Sequence, residues 1–194
     1  MHPIDIRKYK IELREHCRNF RKSLDPDVKA EMDAQISERV KKLYQYRSAR
    51  VIMVYVSTSI EVDTFKIIEN AFKDGKKVAV PRCIPQTRQM EFHYITSVDQ
   101  LTPGSFSVLE PPAHYPVVSD FSGALMIVPG FMFDCFGYRL GYGKGYYDRF
   151  LQSFQGISIC PCYEELTSET LPTDSFDVRI NYLVTQNILK EVIL

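Results

Sequence analysis

The chain has 194 residues, 45% hydrophobic and 25% charged, with a formal net charge of zero. This length supports one domain that folds without disulfides or metal, and the balanced charge offers no global pull toward nucleic acid, so a phosphate site must be a local concentration of cations. The five cysteines lack CxxC spacing, the histidines lack HxxxH, residues 1–10 hold no apolar leader, and no apolar run approaches the ~20 residues of a membrane span; a cytoplasmic monomer that binds neither nucleic acid nor membrane is expected.

Ile6, Leu13, Cys17, Phe20 and Leu24 share one stripe at helical spacing and predict a first helix over residues 5–23. Lys10, Arg14, Arg18 and Arg21 form a basic ridge beside that stripe. From such a border long cations reach into a cleft, but a charge run is ordinarily a solvated face, and Arg18 and Arg21 are read that way. Asp25-Pro26 supplies an N-cap and a proline to start a second helix, with Val28, Met32, Ile36, Val40 and Leu43 facing inward.

Residues 51–56 are apolar and β-branched, a buried strand in which Tyr55 and Val56 can be plain core. Glu61 follows it, where ligand crevices lie in open α/β sheets. Asp63 can cap a third helix carrying Phe65, Ile68 and Phe72 and stopped at Gly75. Residues 77–80 read as a strand ended by Pro81, residues 90–95 as a strand near an edge, and residues 103–122 as mostly loop. A buried strand follows at 124–128, then a helix at 146–154 and strands at 157–160 and 182–185. Alternating strands and helices predict a single layered α/β domain over residues 1–194, with a largely parallel sheet.

The most informative stretch is Arg139-Leu140-Gly141-Tyr142-Gly143-Lys144-Gly145-Tyr146-Tyr147-Asp148-Arg149. Glycines at alternate positions let backbone N–H groups converge on an anion. The helix start behind them adds a positive end. Lys144 and Arg139 supply full charges for phosphate oxygens, and Asp148 can hold a magnesium ion. The spacing is neither a P-loop nor GxGxxG. Glycines alone would mean a flexible turn; glycines with Arg, Lys and Asp at this junction favour phosphate. Cys135, with no histidine nearby in sequence, reads as a bystander thiol.

The run Val128-Pro129-Gly130-Phe131…Phe133-Asp134…Gly137…Arg139 through Asp148 resembles the signature of the 5-formyltetrahydrofolate cyclo-ligase family. Lys10-Ile11-Glu12-Leu13-Arg14, Glu61-Val62-Asp63, Val80-Pro81-Arg82, Met90, Glu110-Pro111 and Leu171-Pro172…Asp177 agree in order, so the resemblance spans nearly the whole chain.

It implies a three-layer α/β/α domain with a mixed central sheet. It further implies a reaction in which the formyl oxygen attacks the γ-phosphate of ATP and the neighbouring folate nitrogen displaces the phosphate. Such chemistry needs positioning and charge neutralisation rather than an enzyme nucleophile. Carried over by residue, the resemblance implies ATP binding by Lys10, Arg14, Arg139, Leu140, Gly141, Tyr142, Gly143, Lys144, Gly145, Tyr146 and Tyr147, with Lys144 and Arg139 as the catalytic cations. It implies folate binding by Val56, Glu61, Tyr142, Gly143, Lys144, Gly145 and Tyr146, and Mg²⁺ binding by Asp148 and Asp177. The tyrosines of the loop can stack on the pterin or aryl ring.

Two departures stand out. Glu164 and Glu165 replace an expected glutamine, and are expected to alter contacts at one end of the ligand. Asn181 stands where an aspartate is common, leaving one carboxylate fewer near the metal. Two rival readings are a sugar-phosphate isomerase on a similar sheet and a ligand-binding relative without turnover.

Overall fold

The computed structural model describes residues 5–105 and 108–192; the leader expectation for residues 1–4 lies outside them. Asp5 accepts hydrogen bonds from the amides of Arg7 (3.0 Å) and Lys8 (3.3 Å) and starts α1 (Ile6–Ser23). Asp25 does the same for α2 (Pro26–Lys42), which opens on the expected proline. Both helices begin where predicted because a carboxylate satisfies amides that have no partner inside the helix. A short α3 (Tyr44–Ser48), not foreseen, leads to β1 (Val51–Val54), α4 (Phe65–Lys73), β2 (Lys77–Cys83) and β3 (Met90–Ile95). Two-residue strands β4 (Thr102–Pro103) and β5 (Leu109–Glu110) pair with each other. Then come β6 (Ala124–Ile127), the hairpin β7 (Met132–Asp134) and β8 (Arg139–Leu140), α5 (Tyr146–Leu151), β9 (Ile157–Pro161), β10 (Thr167–Ser168), β11 (Tyr182–Val184) and β12 (Leu189–Glu191).

The central sheet has seven strands in the order β12-β11-β9-β6-β1-β2-β3. Neighbours from β11 to β2 run parallel, and β3 and β12 are antiparallel edges. The expected mixed, largely parallel α/β sheet is therefore observed. β1 and β6 are buried at every residue, so both faces of the sheet are covered. On one face α2 and α4 pack together, with α4 against β1 and β2 and α2 against β11. Ile52, Met53, Leu125 and Met126 of the sheet and Ile67 and Ile68 of α4 are almost fully buried at its centre. The chain leaves β1 toward β2 on one side and returns to β6 on the other. The gap beyond the carboxyl ends of β1 and β6 is thus a topological switch point, where such sheets hold ligands.

Several expectations need correcting. β2 does not stop at Pro81 but runs on to Cys83. Beyond Ala79 its only partner is β3, so the missing proline N–H interrupts no ladder with β1. Ile6 and Val28, placed on core stripes, are each 49% exposed, because both lie in the first turn of their helices, off the end of the core. The last helix ends at Leu151, and Ser153 and Phe154 close tighter three-residue turns. Thr64 rather than Asp63 occupies the N-cap of α4, yet Asp63 still accepts from the Phe65 amide (2.9 Å). The largest correction concerns Arg21, read as solvated: it is 3% exposed and donates to the carbonyl of Gly130 at 2.5 Å.

Candidate active site

A cavity of about 830 Å³ opens at the carboxyl ends of β1, β2 and β6. Every residue expected to bind ATP, folate or magnesium lines it: Lys10 and Arg14 from α1, Val56 and Glu61 after β1, the stretch from Arg139 to Asp148, and Asp177. The volume suits a ligand of nucleotide or folate size.

The glycine-rich stretch does not follow β6 directly. The β7–β8 hairpin intervenes, and it was missed because its strands are too short to show a period. Asp134 holds this hairpin. Its Oδ1 accepts from the amides of Phe136 (3.0 Å) and Tyr138 (2.9 Å), and Oδ2 accepts from Leu171 N–H (3.0 Å). Gly137 closes the turn at φ +88°, with the Ile180 carbonyl where a Cβ would sit. The hairpin thereby fixes Arg139, whose Nη1 donates to Val178 O (2.8 Å) and whose Nη2 pairs with Asp148 Oδ1 (2.7 Å).

Past Leu140 the chain is held differently. Gly143 and Gly145 are left-handed, at φ +88° and +69°, conformations that an L side chain resists. Arg14 donates from Nε to the Gly141 carbonyl (2.8 Å), and its guanidinium lies against Gly143. Burial lowers the Arg14 pKa, Asp177 works against that shift, and the group stays a cation at neutral pH. Lys10 pairs with Asp177 (3.0 Å) and Asp174 (3.3 Å). The Phe176 amide first, and Lys10 next, hold the Asp174 carboxyl below its ordinary value. Lys144 is exposed, and its ammonium has no partner among the described residues. α5 has only six residues, so the help expected from its positive end is modest beside these cations.

Glu61 is buried at the opposite wall. Its Oε2 accepts from the amide (2.7 Å) and hydroxyl (2.8 Å) of Thr58, and its Oε1 accepts from the Tyr142 hydroxyl. Burial, and then the Glu61 carboxylate, push the Tyr142 phenol well above its ordinary value, so it remains a donor. Tyr55 is core-like and donates to Val62 O (3.0 Å). The Tyr147 hydroxyl is buried without a partner among the described residues, at the cavity's edge.

Asp148 and Asp177 offer the hard oxygen ligands that a divalent cation takes, and no group of three or more His, Cys, Asp or Glu that could hold one is found among the described residues. Among the described residues Asp148 uses only Oδ1, for Arg139 and the Val178 amide, and Asp177 uses only Oδ2, for Lys10 and the Asp174 amide. Each keeps an oxygen for a magnesium ion, which typically takes one or two carboxylates plus phosphate oxygens.

The departures fall elsewhere. Asn181 accepts from Ser158 N–H (2.8 Å) and Oγ (3.0 Å), and is not among the cavity's residues. Glu164 and Glu165 accept from Asn187 and Gln186, also away from the cavity, so neither departure touches its wall.

Sequence reasoning overlooked Asp174, Phe176, Cys83 and Glu110 as cavity residues. Only the approach of distant segments brings them there, and no local motif marks them. Burial first and Glu110 second push the Cys83 thiol up to about 11, so it is a neutral wall rather than a nucleophile. Cys135, likewise read as a bystander, donates to Glu169 O.

Comparison with known proteins agrees with this geometry. Residues 6–186 match the model of a family described as the 5-formyltetrahydrofolate cyclo-ligase family. The 5-formyltetrahydrofolate cyclo-ligase of Mus musculus is 25% identical, covering 96% of this chain and 98% of its own. That of Escherichia coli strain K12 is 29% identical over 87% and 95%. The solved structure of Aquifex aeolicus 5,10-methenyltetrahydrofolate synthetase superposes with a TM-score of 0.83 at 27% identity, covering 94% of this chain and 92% of the other.

Proposed function

This chain belongs to the 5-formyltetrahydrofolate cyclo-ligase family, and from that premise we propose that it converts 5-formyltetrahydrofolate to 5,10-methenyltetrahydrofolate at the expense of ATP. The observation that carries the reading is the gathering, around one cavity, of the left-handed glycine loop, an unpaired lysine and three held cations. Lys144, Arg14, Arg139 and Lys10 bind the phosphates of ATP, and the loop amides cradle them. The formyl oxygen attacks the γ-phosphorus, and ADP leaves. The adjacent folate nitrogen then attacks the formyl carbon, and phosphate departs. Because no protein nucleophile is needed, the residues act by position and charge.

Lys144 is the cation best placed to follow the transferring phosphoryl group, since no carboxylate among the described residues holds it back. Arg139, locked by Asp148 and Val178, fixes the loop's base. Asp148 and Asp177 would hold a magnesium ion, which would supply positive charge to neutralise the phosphates. Val56 and Glu61, with Tyr142 to Tyr146, receive the folate, and Glu61 accepts from the N–H edge of the pterin while repelling the carboxylate tail.

The protein acts on these small molecules as a cytoplasmic monomer of one domain, touching neither nucleic acid nor membrane. No helix among the described residues is long and apolar enough to cross a membrane.

The test is the near-ultraviolet absorbance of the methenyl product on mixing protein, 5-formyltetrahydrofolate, ATP and magnesium. Product is expected only when all are present. Binding of both ligands without product would support a non-catalytic relative instead.

A further inference from the structure

Arg21 is a buried guanidinium without a carboxylate partner among the described residues. Its Nη2 donates to Gly130 O (2.5 Å), its Nη1 donates to the Tyr142 oxygen (3.4 Å), and Nε has no partner among the described residues. Its planar head lies 5.1 Å from the Phe131 ring centroid, and the Phe131 ring in turn lies 4.4 Å from that of Tyr142, tilted by 47°. Burying a cation without a counter-ion is costly, and an apolar side chain of similar length would fill the space at least as well. What the cation does at this place, and an apolar chain would not, is occupy a lone pair of the Tyr142 oxygen. The phenolic proton then has one direction left, toward Glu61 Oε1.

Glu61 thus receives three hydrogen bonds: two on Oε2 from Thr58 and one on Oε1 from Tyr142. A carboxylate oxygen has two lone pairs, so Oε1 keeps one, and Glu61 lines the cavity. We propose that Arg21 is a positioning residue for folate binding. It holds Tyr142 between helix α1 and Glu61, and so keeps Glu61 an oriented acceptor with one lone pair for a substrate N–H. The proposal rests on the reading of Glu61 as the folate contact. It concerns a residue that touches no ligand and acts through Tyr142.

The test is calorimetric binding of 5-formyltetrahydrofolate without ATP, and separately of a non-hydrolysable ATP analogue, to Arg21→Met, Arg21→Lys, Tyr142→Phe, the Arg21→Met/Tyr142→Phe double variant and Glu61→Gln. Arg21→Met is expected to weaken folate binding about 10-fold, roughly the loss of one charge-assisted hydrogen bond, with the ATP analogue bound nearly as in wild type. The double variant is expected to bind folate no worse than the weaker single variant, because both act through one contact.

Arg21→Lys covers the case in which the methionine variant does not fold. A single ammonium cannot hold Gly130 O and Tyr142 together, so the same direction of loss is expected. Wild-type folate affinity in Arg21→Lys overturns the proposal. So do losses that multiply in the double variant, or an equal fall in ATP-analogue binding. Glu61→Gln separates the two readings. Unchanged folate binding there removes Glu61 from the pocket's function, whereas a loss there with none in Arg21→Lys removes only Arg21.

Discussion

Arg139 and Lys144 belong to one short stretch, yet the structure treats them in opposite ways. Arg139 stands on a hairpin whose turn is tied by three amides to the buried Asp134, and both ends of its guanidinium are occupied. Lys144 stands on a loop of left-handed glycines, exposed, with its ammonium unpaired among the described residues. In the proposed function the held region sets where the phosphates go, and the open region keeps a cation whose first strong partner is the ligand. A cation already paired within the protein must share or loosen that pair to take a ligand, whereas an unpaired one bears no such cost.

The comparison breaks most readily at Asp134. Asp134→Ala strands three amides in a buried place and is expected to cost about 3 kcal/mol or more, lowering the melting temperature by roughly 6–12 °C. A melting temperature within about 2 °C of wild type would show that the hairpin does not depend on this carboxylate. Lys144→Ala tests the other side. It is expected to lower kcat/KM for ATP about 10–100-fold, with no change in melting temperature. Near-wild-type rates at all ATP concentrations would remove the lysine from the mechanism.

Asp148→Asn lies on the border between the two regions. Its amide oxygen can still accept from Arg139 and Val178, so the wall stays in place, but the negative charge for magnesium is gone. The magnesium concentration for half-maximal rate is expected to rise about 10-fold. A titration that overlays wild type would place the ion elsewhere. The smallest effect is expected within the loop. Gly143→Ala forces an L side chain to φ +88° and is expected to cost about 1 kcal/mol, read as a several-fold rise in the KM for ATP. Gly141, whose backbone is not left-handed and whose added Cβ meets nothing within 4 Å, is expected to tolerate alanine better. Equal effects at the two positions would mean that the loop's backbone conformation does not matter to ATP.

The sequence by itself determined the starts of α1 and α2, because an aspartate cap and a proline act within one turn. It determined β1 and β6 as buried strands, because short β-branched and apolar runs can be satisfied only inside a covered sheet. It also placed the glycine loop, since alternate glycines beside Arg, Lys and Asp are a local pattern. Tertiary structure alone decided which charges are free. Lys10 and Arg14 looked alike on a helical wheel, but one meets Asp174 and Asp177 and the other the Gly141 carbonyl. Arg21, on the same ridge, turned inward beneath Phe131, while Asn181 lies off the cavity and accepts from Ser158. These outcomes depend on partners more than a hundred residues away for the helix cations. A charge's fate follows from what packs against it, which periodicity along the chain does not encode.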